Sequence, residues 1–284
     1  MPELPEVETI VRKVRPHLVG RTFARAEVLW ERTVDRPTAA AFCRALVGCT
    51  VHSVTRRGKY LLFALSSGDT WLVHLRMTGK FFVYAAGDTP PVSTHTRARF
   101  TLDNGLHFHY DDQRKFGRFY LARDPVEVVG HLGPEPLEVA FTVAWLTEAL
   151  HGRRGEIKRL LLDQTYIAGL GNIYVSEALW QAGIHPQRSA GTLTPTEATR
   201  LHTAIIAALQ EGITNGGTSL GDRQYVYPDG GLGRQQERLM VYDRAGATCS
   251  RCGYAIERLV QGQRSTYFCP VCQGVKIEES AEKL

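Results

Sequence analysis

Long apolar runs are missing. No uninterrupted stretch approaches the roughly 18 to 20 residues needed to cross a bilayer, which excludes a helical membrane span. The opening Met1-Pro2-Glu3-Leu4-Pro5-Glu6 has neither the basic start nor the apolar stretch of a secretory signal, so the expectation is a cytoplasmic protein without a membrane partner. Internal repeats and low-complexity tracts are also absent, which argues against a solenoid or a fibrous chain. An excess of one charge is small: 34 Lys plus Arg stand against 29 Asp plus Glu, a net +5 that leans towards an anionic partner without establishing one. Before residue 249, cysteine occurs only as Cys43 and Cys49, which suit small buried apolar side chains. What is present, 43% apolar and 22% charged residues in a chain of 284, is the composition of a folded protein, and the length favours two domains with a small appendage.

The remaining cysteines are concentrated. Cys249, Cys252, Cys269 and Cys272 form two Cys-x-x-Cys pairs separated by sixteen residues. Two-residue spacing lets both sulfurs of a tight turn face one point, and two such turns complete a tetrahedron around zinc. Disulfides fit poorly in a chain without an export signal. A closed four-thiolate shell leaves no open position for water, so the expected ion is structural.

Along the chain, Val7, Ile10, Val11, Val14 and Leu18 share one helical face, with Pro5 suited to the first turn and Gly20 past the end. Short strand-like segments follow at 22–30, 50–55, 60–65, 70–75, 80–84, 97–102, 106–110 and 116–122, with hairpin signals at Ser67-Gly68-Asp69 and Asn104-Gly105. Strands so short and evenly punctuated predict a two-layer antiparallel sandwich. Gly133-Pro134-Glu135-Pro136 reads as a hinge. Helical periodicity then dominates at 143–151, 156–162, 172–181 and 195–211, the last opened by Thr194-Pro195-Thr196-Glu197 as a capping box. Residues 215–236 hold six glycines and little apolar periodicity, a loop long enough to be functional. The cysteine pairs close the chain as a β ribbon.

Taken together, Met1-Pro2-Glu3-Leu4-Pro5-Glu6, Arg57-Gly58-Lys59-Tyr60, Gly169-Leu170-Gly171-Asn172-Ile173-Tyr174, the glycine-rich loop and the cysteine ribbon containing Gln263-Arg264-Ser265-Thr266 resemble the bacterial formamidopyrimidine-DNA glycosylases over nearly the whole chain. The resemblance implies an α+β multidomain fold. Residues 1–133 would form a catalytic β-sandwich with an N-terminal helix. Residues 134–240 would form a helix-two-turn-helix domain that includes a lesion-recognition loop at 216–233, and residues 241–284 a zinc β-hairpin. The implied partner is damaged double-stranded DNA, bound by a monomer.

The same resemblance assigns a Schiff-base nucleophile to Pro2, proton shuttling to Glu3, and support of the site to Glu6. The chemistry is sound. With Met1 removed, Pro2 carries a free amine, and an α-amino pKa of roughly 7.7 to 8.0 against about 10.4 for lysine leaves far more of it neutral near neutral pH. On residue type alone, Pro2 to Glu6 would also serve as an ordinary helix start, with acids against the dipole. Lys59 reads from sequence as part of a solvated basic turn beside Arg56 and Arg57; the family's matching lysine reaches phosphate and sugar oxygens. A base must leave the stack to be excised, and the gap must be filled. The family's filling residues match Met77, Phe116 and Arg114, although Met77 and Phe116 by type suit a core. Lys115 stands where the family pattern has a second arginine, which loses bidentate geometry. Asn172 and Arg264 match phosphate-gripping positions, with Tyr242 a further phosphate candidate, and Thr218, Ser219 and Tyr225 fall in the loop that covers the flipped base in purine-specific relatives. Endonuclease VIII-like glycosylases share the terminal Pro-Glu and the zinc ribbon but prefer oxidised pyrimidines. Met77, Arg114, Phe116 and the glycine-rich loop favour the purine branch. A non-catalytic damage-binding module is the alternative from another class.

Overall fold

The computed structural model describes residues 1–91, 93–221 and 224–274. Asp222 and Arg223 of the expected recognition loop, and 275–284 of the expected zinc hairpin, lie outside the described residues. The chain divides into two compact units, Met1–Leu132 with Glu211–Glu237, and Gly133–Gln210 with Arg238–Leu284. The sequence-based domains run in chain order, whereas in the structure Glu211–Glu237 returns to the N-terminal unit.

The first unit opens with α1 (Leu4–Leu18), whose predicted apolar face, Val7, Ile10, Val11, Val14 and Leu18, is buried. Glu3 and Glu6 form the capping box at its start, and Pro5 sits in the first turn where a missing N–H costs nothing. Next come β1 (Phe23–Val28), β2 (Val34–Arg36) and α2 (Ala39–Leu46), followed by β3 (Val51–Arg57), β4 (Tyr60–Leu65), β5 (Thr70–His74), β6 (Gly79–Tyr84), β7 (Thr96–Leu102), β8 (His107–Asp112), β9 (Arg118–Ala122) and the short α3 (Val126–Val129). Neither β2 nor α2 was foreseen. The signal for α2 was available, since the Thr38 side chain accepts the Ala41 N–H as an N-cap ahead of an alanine run.

The strands make the expected two layers, one in the order β1-β7-β8-β6 and the other β2-β9-β5-β4-β3. All pairs are antiparallel except β2 with β9. Between them lies an aromatic core centred on Trp71, with Phe63 stacked at 4.6 Å and Phe100, Phe119 and Phe42 at 5.0, 5.2 and 5.7 Å. Cys49 is buried and Cys43 packs against this core, as expected of small apolar residues.

The second unit holds α4 (Val143–Leu150), α5 (Ile157–Leu162), α6 (Asn172–Ala182) and the first part of α7 (Pro195–Thr214), then the hairpin β10 (Glu257–Gln261) and β11 (Arg264–Phe268). Helix α6 has no polar stripe and is buried nearly all round, as a central helix must be. It ends at Gly183 in the left-handed conformation. The expected capping box of α7 is present: Thr194 N–H donates to Glu197 Oε2 at 2.8 Å, and Glu197 N–H to Thr194 Oγ1 at 3.3 Å. No helix among the described residues is long and apolar enough to cross a membrane.

Candidate active site

In the first unit the chemistry-bearing residues gather around the start of α1. Pro2 is buried, as are Glu3 and Glu6. One Glu6 oxygen, Oε2, accepts the Glu3 N–H at 2.8 Å; the other, Oε1, accepts the Thr218 N–H at 2.8 Å. A single carboxylate thus joins the chain's opening residues to the glycine-rich segment, and the close approach requires glycine at 217. Gly217 has φ +82°, and a Cβ there would lie 2.9 Å from Glu6 Cγ and Oε1.

The segment itself is tied down at several points. Ser219 N–H donates to Gln236 Oε1 at 3.0 Å, the Ser219 hydroxyl donates to Tyr225 O at 3.0 Å, and it accepts Gly233 N–H at 2.9 Å. The Tyr225 hydroxyl donates to Gly216 O at 2.9 Å. Farther along, Val83 N–H donates to Pro228 O at 3.0 Å, and Lys13 bonds Asp229 at 2.8 Å with its ammonium 4.4 Å from the Tyr227 ring centre. Thr218, Ser219 and Tyr225 are all buried. Burial foremost, then the Glu6 charge, holds the Tyr225 phenol well above its ordinary range.

Lys59 occupies the β3–β4 turn and is only 5% exposed, so the solvated-turn reading of this lysine does not hold. Its neighbour Arg56 turns back to Glu8 at 3.3 Å and to Gly58 O at 3.1 Å, and Arg57 donates to Leu132 O at 3.0 Å. Buried His74 accepts the Arg76 N–H on Nδ1 at 3.0 Å. Burial, then the charges of Arg76 and Lys59, push its pKa down to about 3.

Two loops present Met77, Arg114 and Phe116. Met77 is 40% and Phe116 46% exposed, against their apolar character, and Arg114 is exposed as well. They touch one another: Arg114 Nη1 is 2.9 Å from Met77 Sδ, and its guanidinium carbon 4.8 Å from the Phe116 ring centre. Asp112, two residues before Arg114 and not among the residues expected from sequence, holds both loops. It accepts the Thr78 hydroxyl on Oδ1 and the Gly117 N–H on Oδ2 at 2.7 Å, while Thr78 Oγ1 accepts the Arg114 N–H at 3.0 Å. Lys115, at φ +60°, rests its ammonium 4.1 Å from the Trp30 ring centre.

In the second unit, Asn172 Nδ2 donates to Ser265 O at 2.9 Å, and buried Lys158 donates to the same oxygen at 3.2 Å and to Thr266 Oγ1 at 2.8 Å. These bonds grip the ribbon beside exposed Arg264, which follows the tight turn Gly262-Gln263, both at positive φ. Tyr242 is half-buried, its N–H on Glu177 Oε1 at 2.8 Å and its ring 5.2 Å from that of Tyr267. Glu177 also accepts Met240 N–H at 2.9 Å and Val241 N–H at 3.0 Å.

The sulfurs of Cys249, Cys252, Cys269 and Cys272 all lie within 4.8 Å of one another, with Cys249–Cys272 at 3.9 Å and Cys252–Cys269 at 3.4 Å. Tetrahedral zinc with thiolate bonds of about 2.3 Å sets sulfurs about 3.8 Å apart, so the cluster fits a structural zinc ion as its spacing predicts.

Three family models cover most of the sequence. Residues 1–119 match the formamidopyrimidine-DNA glycosylase N-terminal domain, 132–224 its H2TH domain, and 246–275 the zinc finger found in FPG and IleRS. The chain is 48% identical to the formamidopyrimidine-DNA glycosylase of Pelotomaculum thermopropionicum, over 97% of this chain and 100% of that one. With the enzyme of Protochlamydia amoebophila it shares 43% identity over 96% and 99% of the two chains. Among solved structures, the MutM (Fpg) protein of Thermus thermophilus superposes with a TM-score of 0.87 at 40% identity, covering 96% of this chain and 99% of that one. The Lactococcus lactis Fpg in complex with abasic-site DNA gives 0.88 at 37% identity, with 96% and 100% covered. On sequence, fold and zinc ribbon alike, the chain belongs to the formamidopyrimidine-DNA glycosylase family.

Proposed function

We propose that this protein is a bifunctional DNA glycosylase and abasic-site lyase of base excision repair, excising oxidised purines such as 8-oxoguanine and formamidopyrimidines from duplex DNA. The observation that carries the reading is the Glu6 carboxylate, which binds the Glu3 N–H and the Thr218 N–H at once. It ties the residues of the reaction to the segment that would sense the extruded base.

Once Met1 is removed, the Pro2 nitrogen attacks C1′ of the damaged nucleotide. The new N–C1′ bond forms as the C1′–base bond breaks, its electron pair leaves on the base, and the base takes up a proton. Opening of the sugar at O4′ gives a cationic imine. That electron sink acidifies C2′, so loss of a C2′ proton expels the 3′ phosphate and a second elimination expels the 5′ phosphate. Glu3, next to the amine, shuttles these protons, and Glu6 holds Glu3 in place. Lys59 supports the reaction and reaches the DNA backbone. Phe116 wedges between bases, Met77 fills the vacated space and Arg114 reads the orphaned partner base. Asn172, Tyr242 and Arg264 bind phosphate, and the zinc ion fixes the ribbon that presents Arg264. Thr218, Ser219 and Tyr225 belong to the segment that closes over the base. The enzyme acts as a monomer in the cytoplasm.

Single-turnover excision from duplexes carrying 8-oxoguanine opposite cytosine or thymine glycol tests the assignment. Preference for the purine lesion is expected. Preference for thymine glycol would move the chain to the endonuclease VIII-like branch, and binding without excision of either would make it a damage-binding module.

A further inference from the structure

The outward face of the β1-β7-β8 sheet carries a second cluster of polar groups that none of the proposed chemistry uses. Strand register sets it out in two rows. Glu27 pairs with Arg99, which pairs with His109; Arg25 pairs with Thr101, which pairs with His107. With Pro90 and Pro91 these side chains line a cavity of about 390 Å³.

An outward-facing strand position should be wet, yet His109 is 7% exposed. Among the described residues nothing hydrogen-bonds its imidazole; it packs against the rings of Tyr84 and His107 at 5.2 and 6.1 Å. Arg99 has a buried Nε with no hydrogen-bond partner among the described residues. Leaving such a donor unmet costs about 1–3 kcal/mol, more for a charged group, so an acceptor is called for at this point. Donors outnumber acceptors in the cavity. The one lining carboxylate, Glu27, is already engaged by Arg25 at 3.8 Å, and the Thr101 hydroxyl is 3.5 Å from His107 Nδ1. Burial, then Arg99 and His107, hold the His109 imidazole below its ordinary range, while Asp111 on the same strand acts the other way. A cation fits badly, because the Arg99 guanidinium stands between Glu27 and His109 in the row. A tetrahedral oxyanion would supply acceptors to Arg99, His107 and His109 together.

We propose that this cavity is an anion-binding site for a phosphate group, separate from the residues assigned to catalysis and lesion recognition. The phosphate can come from a DNA backbone or from a free phosphate or pyrophosphate, and the test separates the two. Its affinity rises on acidification, because a bound anion favours protonation of His109, which faces Arg99, His107, Asp111 and Tyr84 in a cavity shared with Arg25 and Glu27.

Calorimetric titration of the full chain with inorganic pyrophosphate at pH 7.5 and pH 6.0 provides the first arm, with Arg99→Gln, His109→Gln and, as an unrelated cation, the exposed Arg44→Ala on α2. Saturable binding that tightens severalfold at the lower pH, weakens about tenfold or more in Arg99→Gln and His109→Gln, and survives in Arg44→Ala is the expected result for a free anion. The second arm measures undamaged-duplex affinity against salt. Weaker binding with a shallower salt slope in Arg99→Gln assigns the site to DNA phosphate. Circular dichroism checks folding, and His107→Gln, at a half-exposed position, replaces any variant that fails it. If the wild type binds no pyrophosphate saturably, or binds it with an affinity indifferent to both cavity variants, and Arg99→Gln also leaves the duplex salt slope unchanged, the site does not exist.

Discussion

Glu6 Oε1 accepts the backbone N–H of Thr218 at 2.8 Å across 212 residues of sequence. The contact depends on the residue before it, since Gly217 takes φ +82° and leaves no room for a Cβ beside the Glu6 carboxylate. Gly217→Ala is therefore expected to strain the backbone by about 1–2 kcal/mol and displace Glu6. Single-turnover excision should slow roughly tenfold or more, because misplacement by about 1 Å has large kinetic effects. Gly221→Ala, where a Cβ meets nothing within 4 Å, serves as the control and should stay near wild type. Equal rates for the two variants would separate Glu6 from any role of the glycine-rich segment in excision.

Asp112 is expected to position Met77, Arg114 and Phe116, the residues proposed to fill the vacated base space. Asp112→Asn keeps the volume but turns an amide N–H₂ towards either the Thr78 hydroxyl or the Gly117 N–H. The loss should be about 1–3 kcal/mol in stability. Base extrusion, followed by 2-aminopurine fluorescence beside the lesion, should slow while binding of an abasic duplex changes less. Unaltered extrusion would leave Asp112 a purely structural residue.

Glu177, 4% exposed, gathers the three consecutive N–H groups of Met240, Val241 and Tyr242. In Glu177→Gln one amide must face a donor, at a cost of about 1–3 kcal/mol. The cysteine ribbon follows directly, so faster zinc loss to a chelator is expected alongside the lower unfolding midpoint. Zinc release at the wild-type rate would show that this turn does not support the ribbon.

Much of this arrangement was legible in the sequence because local rules suffice for it. The apolar stripe of α1, the alternating strands, the Thr194–Glu197 capping box and the cysteine spacing all act within a few residues, and each appears as expected. What escaped depends on long-range partners. The three-residue β2 has too few residues to show a period, and it is fixed by pairing with β9 eighty-odd residues on. The burial of Lys59 and the exposure of Met77 and Phe116 contradict residue type, since neighbours distant in sequence decide them. The return of Glu211–Glu237 to the first unit rests on bonds to Glu6, Lys13 and Val83, which no local pattern announces.

His74 gives a pH dependence with a definite sign. Its folded pKa is pushed down to about 3 by burial, Arg76 and Lys59, against about 6.5 unfolded. Below pH 6.5 the unfolded chain binds a proton that the folded chain refuses, so its contribution is fully present above pH 6.5 and is lost as pH falls towards 3. Between pH 7.5 and 5 that loss is on the order of 2 kcal/mol. His74→Gln retains an acceptor for the Arg76 N–H without titrating, so its urea midpoint should fall less over the same interval. Parallel losses in the two proteins would remove His74 as the cause.

Borohydride reduction during reaction with an 8-oxoguanine duplex, followed by mass mapping of the DNA-linked peptide, tests the nucleophile most directly. The expected product is a single adduct on the N-terminal peptide beginning at Pro2, and none when Met1 or a tag is retained ahead of it. An adduct on Lys59 or another internal side chain, or full trapping with the terminus blocked, would contradict the assignment.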